Sequence, residues 1–138
     1  MRAALIVATF LFSGLTHALP AALHAQDLSS GKSVMLKLRN LEGKKGTVVV
    51  FLSARCPCSM SHEDSLKKLQ TQYGSDFQFV AIHSNADESA EFSQAHFGSN
   101  ALSFPVLQDT SANFADAFGA LKTPHAFVVN SKGEVVFQ

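Results

Sequence analysis

The run 47-TVVVFLS-53 constrains the fold of this chain more than any other stretch. It is β-branched and aromatic without polar alternation, the pattern of a strand buried on both faces. Such a strand needs cover above and below its sheet, which an α/β layering supplies. The flanking segments agree with that layering. Before it, 34-VMLKLRNL-41 alternates in part and reads as a first strand closed by the turn 42-EGKKG-46. After it, Leu66, Leu69 and Tyr73 recur at helical spacing within 59–73, and Gly74 sits where a helix stops. A second buried strand is expected at 77-FQFVAIHS-84, then a weaker helix over 87–97 with Asp87 as its N-cap. Phe114 and Phe118, four apart, place a short helix against the core, and Gly119 ends it. The segments 125-HAFVVN-130, 131-SKGE-134 and 135-VVFQ-138 form a hairpin by their turn chemistry. Nothing after it covers its outer strand, so the sequence reads as a domain incomplete at its C-terminus.

Between the buried strand and the first helix lies 53-SARCPCSMSH-62, which holds both cysteines of the chain. Their meaning depends on compartment. Met1-Arg2, the apolar run over 3–15, Pro20 and 21-AALHAQ-26 read as a secretory signal over 1–25, cut after Ala25, with a cut after Ala18 as the alternative. The mature domain is then 26–138, its first residues a polar lead-in over 26–33, and its location periplasmic or secreted without stable membrane insertion. A length of 138 residues allows one domain, and 11 basic against 11 acidic residues give no charge excess that would point to nucleic acid or an anionic surface. In an oxidising compartment Cys56 and Cys58 must bond each other, bond another molecule, or hold a metal.

A strand-to-helix junction gives a cysteine special chemistry. The helix N-terminus offers unpaired N–H groups and the positive end of a dipole, both of which favour thiolate. Arg55 adds positive charge if it turns towards the sulfur. A Cys56–Cys58 disulfide is feasible only with the stretch extended, because residues two apart in a helix point to nearly opposite sides. Pro57 biases Cys56 away from helical dihedrals and so helps the extended form. The resulting bridge is strained, and strained bridges are the labile, oxidising ones. A helical Cys58 instead lies on one face with His62, near Met60, a pairing that suits a soft metal. His62 otherwise covers the inner edge of its helix, and His83 is a hydrogen-bonded wall at the end of a buried strand. His96 and 87-DESAE-91 read as a solvated helix surface. No phosphate loop or dinucleotide fingerprint is present, and no cofactor is expected.

A buried strand, a Cys-Pro turn opening a helix, and Thr123-Pro124 before a strand-turn-strand hairpin together resemble the thioredoxin-like superfamily. The stretch 104-FPVLQDTSANFADAFGALKTPHAFVVNSKGEVVF-137 is most similar to its redoxin branch, the alkyl hydroperoxide reductase/thiol-specific antioxidant group. The resemblance implies a central mixed sheet flanked by helices, the nucleophile at Cys56 with Pro57 after it, a cis-proline at Pro124, and Thr123 as the residue whose backbone pairs with substrate. Ser59 stands where the family's second cysteine usually lies, Arg55 where a Trp is common, and His125 where a small residue often follows the cis-proline. The activity implied is thiol–disulfide exchange: Cys56 attacks, Cys58 resolves, and the partners are protein thiols or disulfides together with a further redox protein. Peroxide reduction at Cys56 is the lesser enzymatic reading. Ser53 matches its Thr/Ser position, but Val49 stands at its proline and no Arg follows Arg55. By resemblance to the copper-delivery branch, Cys56, Cys58 and His125 are the alternative copper ligands, although that branch spaces its cysteines further apart.

Overall fold

The computed structural model describes residues 18–99 and 102–138. Five strands form a mixed sheet in the order β5-β4-β3-β6-β7. They are β3 (Gly46–Phe51), β4 (Phe77–His83), β5 (Val106–Gln108), β6 (His125–Asn130) and β7 (Val135–Phe137). β3 pairs in parallel with β4 and antiparallel with β6. A separate antiparallel pair, β1 (Ala22–Gln26) and β2 (Ser33–Lys37), lies before them in sequence. The helices are α1 (Pro57–Tyr73), α2 (Ala90–Ser99) and α3 (Asn113–Phe118).

The central strand explains the layering. Val49 and Phe51 point into a core with Leu19, Leu23, Leu36, Ile82, Phe118 and Phe127, on the face covered by β1, β2 and α3. Val50 and Leu52 point into the opposite core with Leu66, Phe79, Phe97 and Phe104, on the face covered by α1 and α2. Successive side chains of β3 thus enter different cores, the two-residue period of a strand buried on both sides. The pleat carries both layers.

The N-terminal boundary is earlier than the sequence pattern placed it. Leu19 and Leu23 are core residues, and β1 pairs residue by residue with β2. The folded unit therefore includes residues assigned above to a signal over 1–25, while residues 1–17 lie outside the described set. The lead-in over 26–33 is also anchored. Asp27 is buried and accepts hydrogen bonds from Ser29 N–H, both serine hydroxyls and Val106 N–H at 2.6–3.1 Å. On α1 only part of the expected inner stripe is covered. Leu66 is buried, whereas Leu69 and Tyr73 stay partly exposed and line an apolar groove with Val48, Val50 and Phe137.

Candidate active site

Cys56 ends the loop leaving β3 and caps α1. Its backbone is extended (φ −75°, ψ 117°), the conformation that Pro57 at the first helical position favours in its predecessor. Pro57 has no N–H, so the first available amides belong to Cys58 and Ser59. The first turn carries no acidic residue and no side-chain cap bond, which leaves the positive end of α1 facing the cysteine. Cys56 is partly buried, and its thiol donates to the Thr123 carbonyl at 3.6 Å. The Thr123–Pro124 bond is cis, as the resemblance implied.

Once ionised, the sulfur becomes an acceptor at the place where a helix-capping side chain accepts from the second and third residues. The Ser59 N–H is the largest influence on it. Desolvation works the other way, and the Cys58 N–H, the Ser59 hydroxyl and the Thr123 side chain add to the first. Together they hold the thiol below its ordinary range. Ser59 is fully buried, and its oxygen also accepts from Ser53 N–H at 3.1 Å, tying the two ends of the loop. The contribution expected of Arg55 goes elsewhere. Its guanidinium lies over the Phe92 ring of α2, 5.4 Å from the centroid.

Both thiols are free, and Cys58 is exposed at the second position of α1. Closing a bridge to Cys56 requires this first turn to open, because Cys58 is already helical. His62 is exposed rather than packed along the inner edge, and its Nδ1 donates to the Cys58 carbonyl at 2.7 Å. His125 opens β6 with its ring 4.3 Å from that of Phe127, and its Nδ1 accepts from Leu121 N–H at 3.4 Å. Among the described residues no group of three His, Cys, Asp or Glu side chains is arranged to hold a metal ion. Cys56, Cys58 and His125 are therefore not assembled as a three-ligand site.

In the acidic run after β4, Asp87, Ser89, Ala90 and Glu91 are exposed as their composition suggests, and Glu88 alone turns inward. Glu88 is buried beneath the cysteine loop, where it accepts from the Ser53 hydroxyl, from Ala54 N–H at 2.9 Å and from His83 Nε2 at 3.1 Å. His83 is the hydrogen-bonded wall expected at the end of β4. Asp87 is exposed, and α2 begins later, with the Ser89 hydroxyl accepting from Phe92 N–H at 3.2 Å. His96 also turns inward, 2.7 Å from Glu63 of α1. The signal for Glu88 lay in position rather than composition. Its turn leaves β4 at the same strand ends where β3 delivers Cys56.

A mixed sheet with helices on both faces, and a cysteine at a helix head beside a cis-proline, define a thioredoxin-like protein. The model of the Redoxin family matches residues 17–138, and the chain belongs to that family. It is 30% identical over 102 residues to the thiol-disulfide oxidoreductase ResA of Halalkalibacterium halodurans, covering 73% of this chain and 56% of that protein. It is 21% identical to the sporulation thiol-disulfide oxidoreductase A of Bacillus subtilis, over 95% of this chain and 86% of the relative. The crystal structure of StoA from Bacillus subtilis superimposes with a TM-score of 0.70 at 20% identity, over 87% of each chain. The chain thus spans little more than half the length of the ResA relative.

Proposed function

We propose that this chain is an exported thiol–disulfide oxidoreductase with Cys56 as nucleophile and Cys58 as resolving thiol. The observation that carries this reading is the partly buried Cys56 sulfur, set over the free amides of α1 and 3.6 Å from the Thr123 carbonyl. The Cys56 thiolate attacks one sulfur of a client disulfide, forms a mixed disulfide and releases the other client sulfur as thiolate. The Cys58 thiolate then attacks the Cys56 sulfur, closing Cys56–Cys58 and releasing the second client thiolate. Two electrons pass from the pair to the client, and a separate redox protein restores the dithiol. Run in reverse, the bridge is given to a reduced client. The opening of the first turn of α1 is the conformational part of the resolving step. Support comes also from the names of the two curated relatives, both thiol-disulfide oxidoreductases.

Export rests on the positive start and apolar run of the N-terminus. A cut after Ala18 fits better than one after Ala25, because it leaves Leu19, Leu23 and β1 in the folded unit. No helix among the described residues is long and apolar enough to cross a membrane.

Replacing Cys58 by Ser tests the assignment of roles. Under a disulfide-bonded peptide the variant is expected to accumulate a Cys56–peptide adduct that the parent protein resolves, read by intact mass under acid quench. Equal, rapid clearance of the adduct in both proteins contradicts a resolving role for Cys58. Turnover of hydrogen peroxide by the variant, without any need for Cys58, points instead to peroxide reduction. Stoichiometric Cu(I) binding that is lost in both Cys58→Ser and His125→Ala points to the copper reading.

A further inference from the structure

Beneath the cysteine loop a connected set of buried polar groups is left over by the exchange chemistry: Ser53, Glu88, His83 and Ser93. All four are nearly or fully buried. The Ser53 hydroxyl donates its single proton to Glu88, leaving both lone pairs of its oxygen free. These accept the N–H of Arg55 at 3.2 Å and the N–H of Cys56 at 3.0 Å. The second Glu88 oxygen accepts from Ala54 N–H at 2.9 Å and from His83 Nε2 at 3.1 Å. Glu88 thus reaches the main-chain N–H of Ala54 directly and those of Arg55 and Cys56 through the Ser53 side chain.

The donors also fix the states of the buried groups. An ionised carboxylate only accepts, so His83 presents N–H at Nε2 to Glu88. His83 Nδ1 is buried without a hydrogen-bond partner. The carboxylate has three donors, enough to hold it ionised despite its burial. The Ser93 hydroxyl, 3.1 Å from His83 Nε2, ties the set to α2.

We propose that Glu88 is a positioning residue for the nucleophile: acting through Ser53, it locks the loop so that the Cys56 sulfur stays over the amides of Cys58 and Ser59 and beside Thr123. This rests on Cys56 being the nucleophile and deepens that reading, but it does not depend on Cys58 resolving anything. An amide cannot substitute for the carboxylate. Glutamine at 88 keeps the shape yet turns an N–H₂ group towards either the Ser53 hydroxyl or the Ala54 N–H, a donor facing a donor.

The test is the pH profile of Cys56 alkylation by iodoacetamide, with Cys58 replaced by Ser throughout so that one thiol reports. In Glu88→Gln the midpoint is expected to rise, and the rate at pH 7 to fall about tenfold, the loss for one unit in thiolate pKa. Ser53→Ala is expected to do the same, and Ser53→Thr, which keeps the hydroxyl, to restore the parent profile. A charge acting on the sulfur merely as a neighbouring anion predicts the opposite sign, since its removal favours the thiolate. Asp27→Asn, another buried carboxylate, bonded to Ser29, Ser30 and Val106 rather than to the loop, controls for lost stability and is expected to leave the midpoint in place. A fall or no change in the Glu88→Gln midpoint overturns the proposal. If that variant does not fold, an unshifted midpoint in Ser53→Ala does so. A failed peptide exchange with an intact shift leaves the positioning role standing and sinks only the exchange reading.

Discussion

At the scale of single residues, Ser59 shows how the site works without a cysteine at that position. Its N–H and hydroxyl face the Cys56 sulfur, while its oxygen also satisfies Ser53 N–H. Ser59→Ala keeps the amide and loses the hydroxyl. The Cys56 alkylation midpoint is expected to rise, by less than in Glu88→Gln, because the larger amide influence survives. The buried Ser53 N–H loses its acceptor, which costs about 1–3 kcal/mol in urea unfolding. An unmoved midpoint would remove the hydroxyl from the account of the thiolate. Cys56, Pro57 and Pro124 were legible in the sequence because each carries a rare constraint, a thiol at a helix head or a fixed φ, whereas Thr123 was marked only by resemblance. Glu88 and Ser59 were not. An acidic run reads as a solvent face until the chain is folded, and a serine in a helix carries no mark of its tertiary partner.

At the scale of elements, the strands were the readable part. β3, β4 and β6 lie where runs of β-branched and aromatic residues place them, because burial on both faces leaves little freedom in composition. Helix boundaries were less readable. Asp87 and Ser89 are both acceptable caps, and only the inward turn of Glu88 selects Ser89. The connection between β1 and β2 was hidden because its order comes from Asp27, whose partners include Val106, far away in sequence. Burial raises the Asp27 carboxyl, but the Ser30 hydroxyl, the Val106 N–H, and the Ser29 N–H and hydroxyl outweigh it and hold it below the usual carboxylate value. A carboxyl lowered in the folded state contributes stability that is present above its unfolded value. That stability is lost as pH falls through the folded one. Asp27→Asn is expected to cost about 2 kcal/mol at neutral pH and to flatten the fall in stability on acidification. Equal urea midpoints for the two proteins at pH 7 would contradict the anchoring role of Asp27.

At the scale of the whole molecule, the sheet delivers three things to one end: Cys56 from β3, the turn with Glu88 from β4, and the cis-proline at the head of β6. The class of fold was readable from strand and helix order, whereas the N-terminal limit was not. An alanine-rich segment before a polar stretch looks like a cleavage region, and only its pairing with β2 makes it a strand. A protein beginning at Gln26 is expected to be less stable than one beginning at Leu19 by about 3–6 kcal/mol, the worth of burying two leucines. Coincident urea transitions would return the boundary to Gln26. The central claim is that Cys56 and Cys58 act as one redox couple. Its most direct measurement is an anaerobic redox titration of the purified protein, with free thiols alkylated and counted by mass at each potential. The account predicts that both thiols appear together in a single two-electron step at a potential more oxidising than that of structural disulfides. Two thiols alkylated independently at every potential, with no intramolecular bridge, would contradict it.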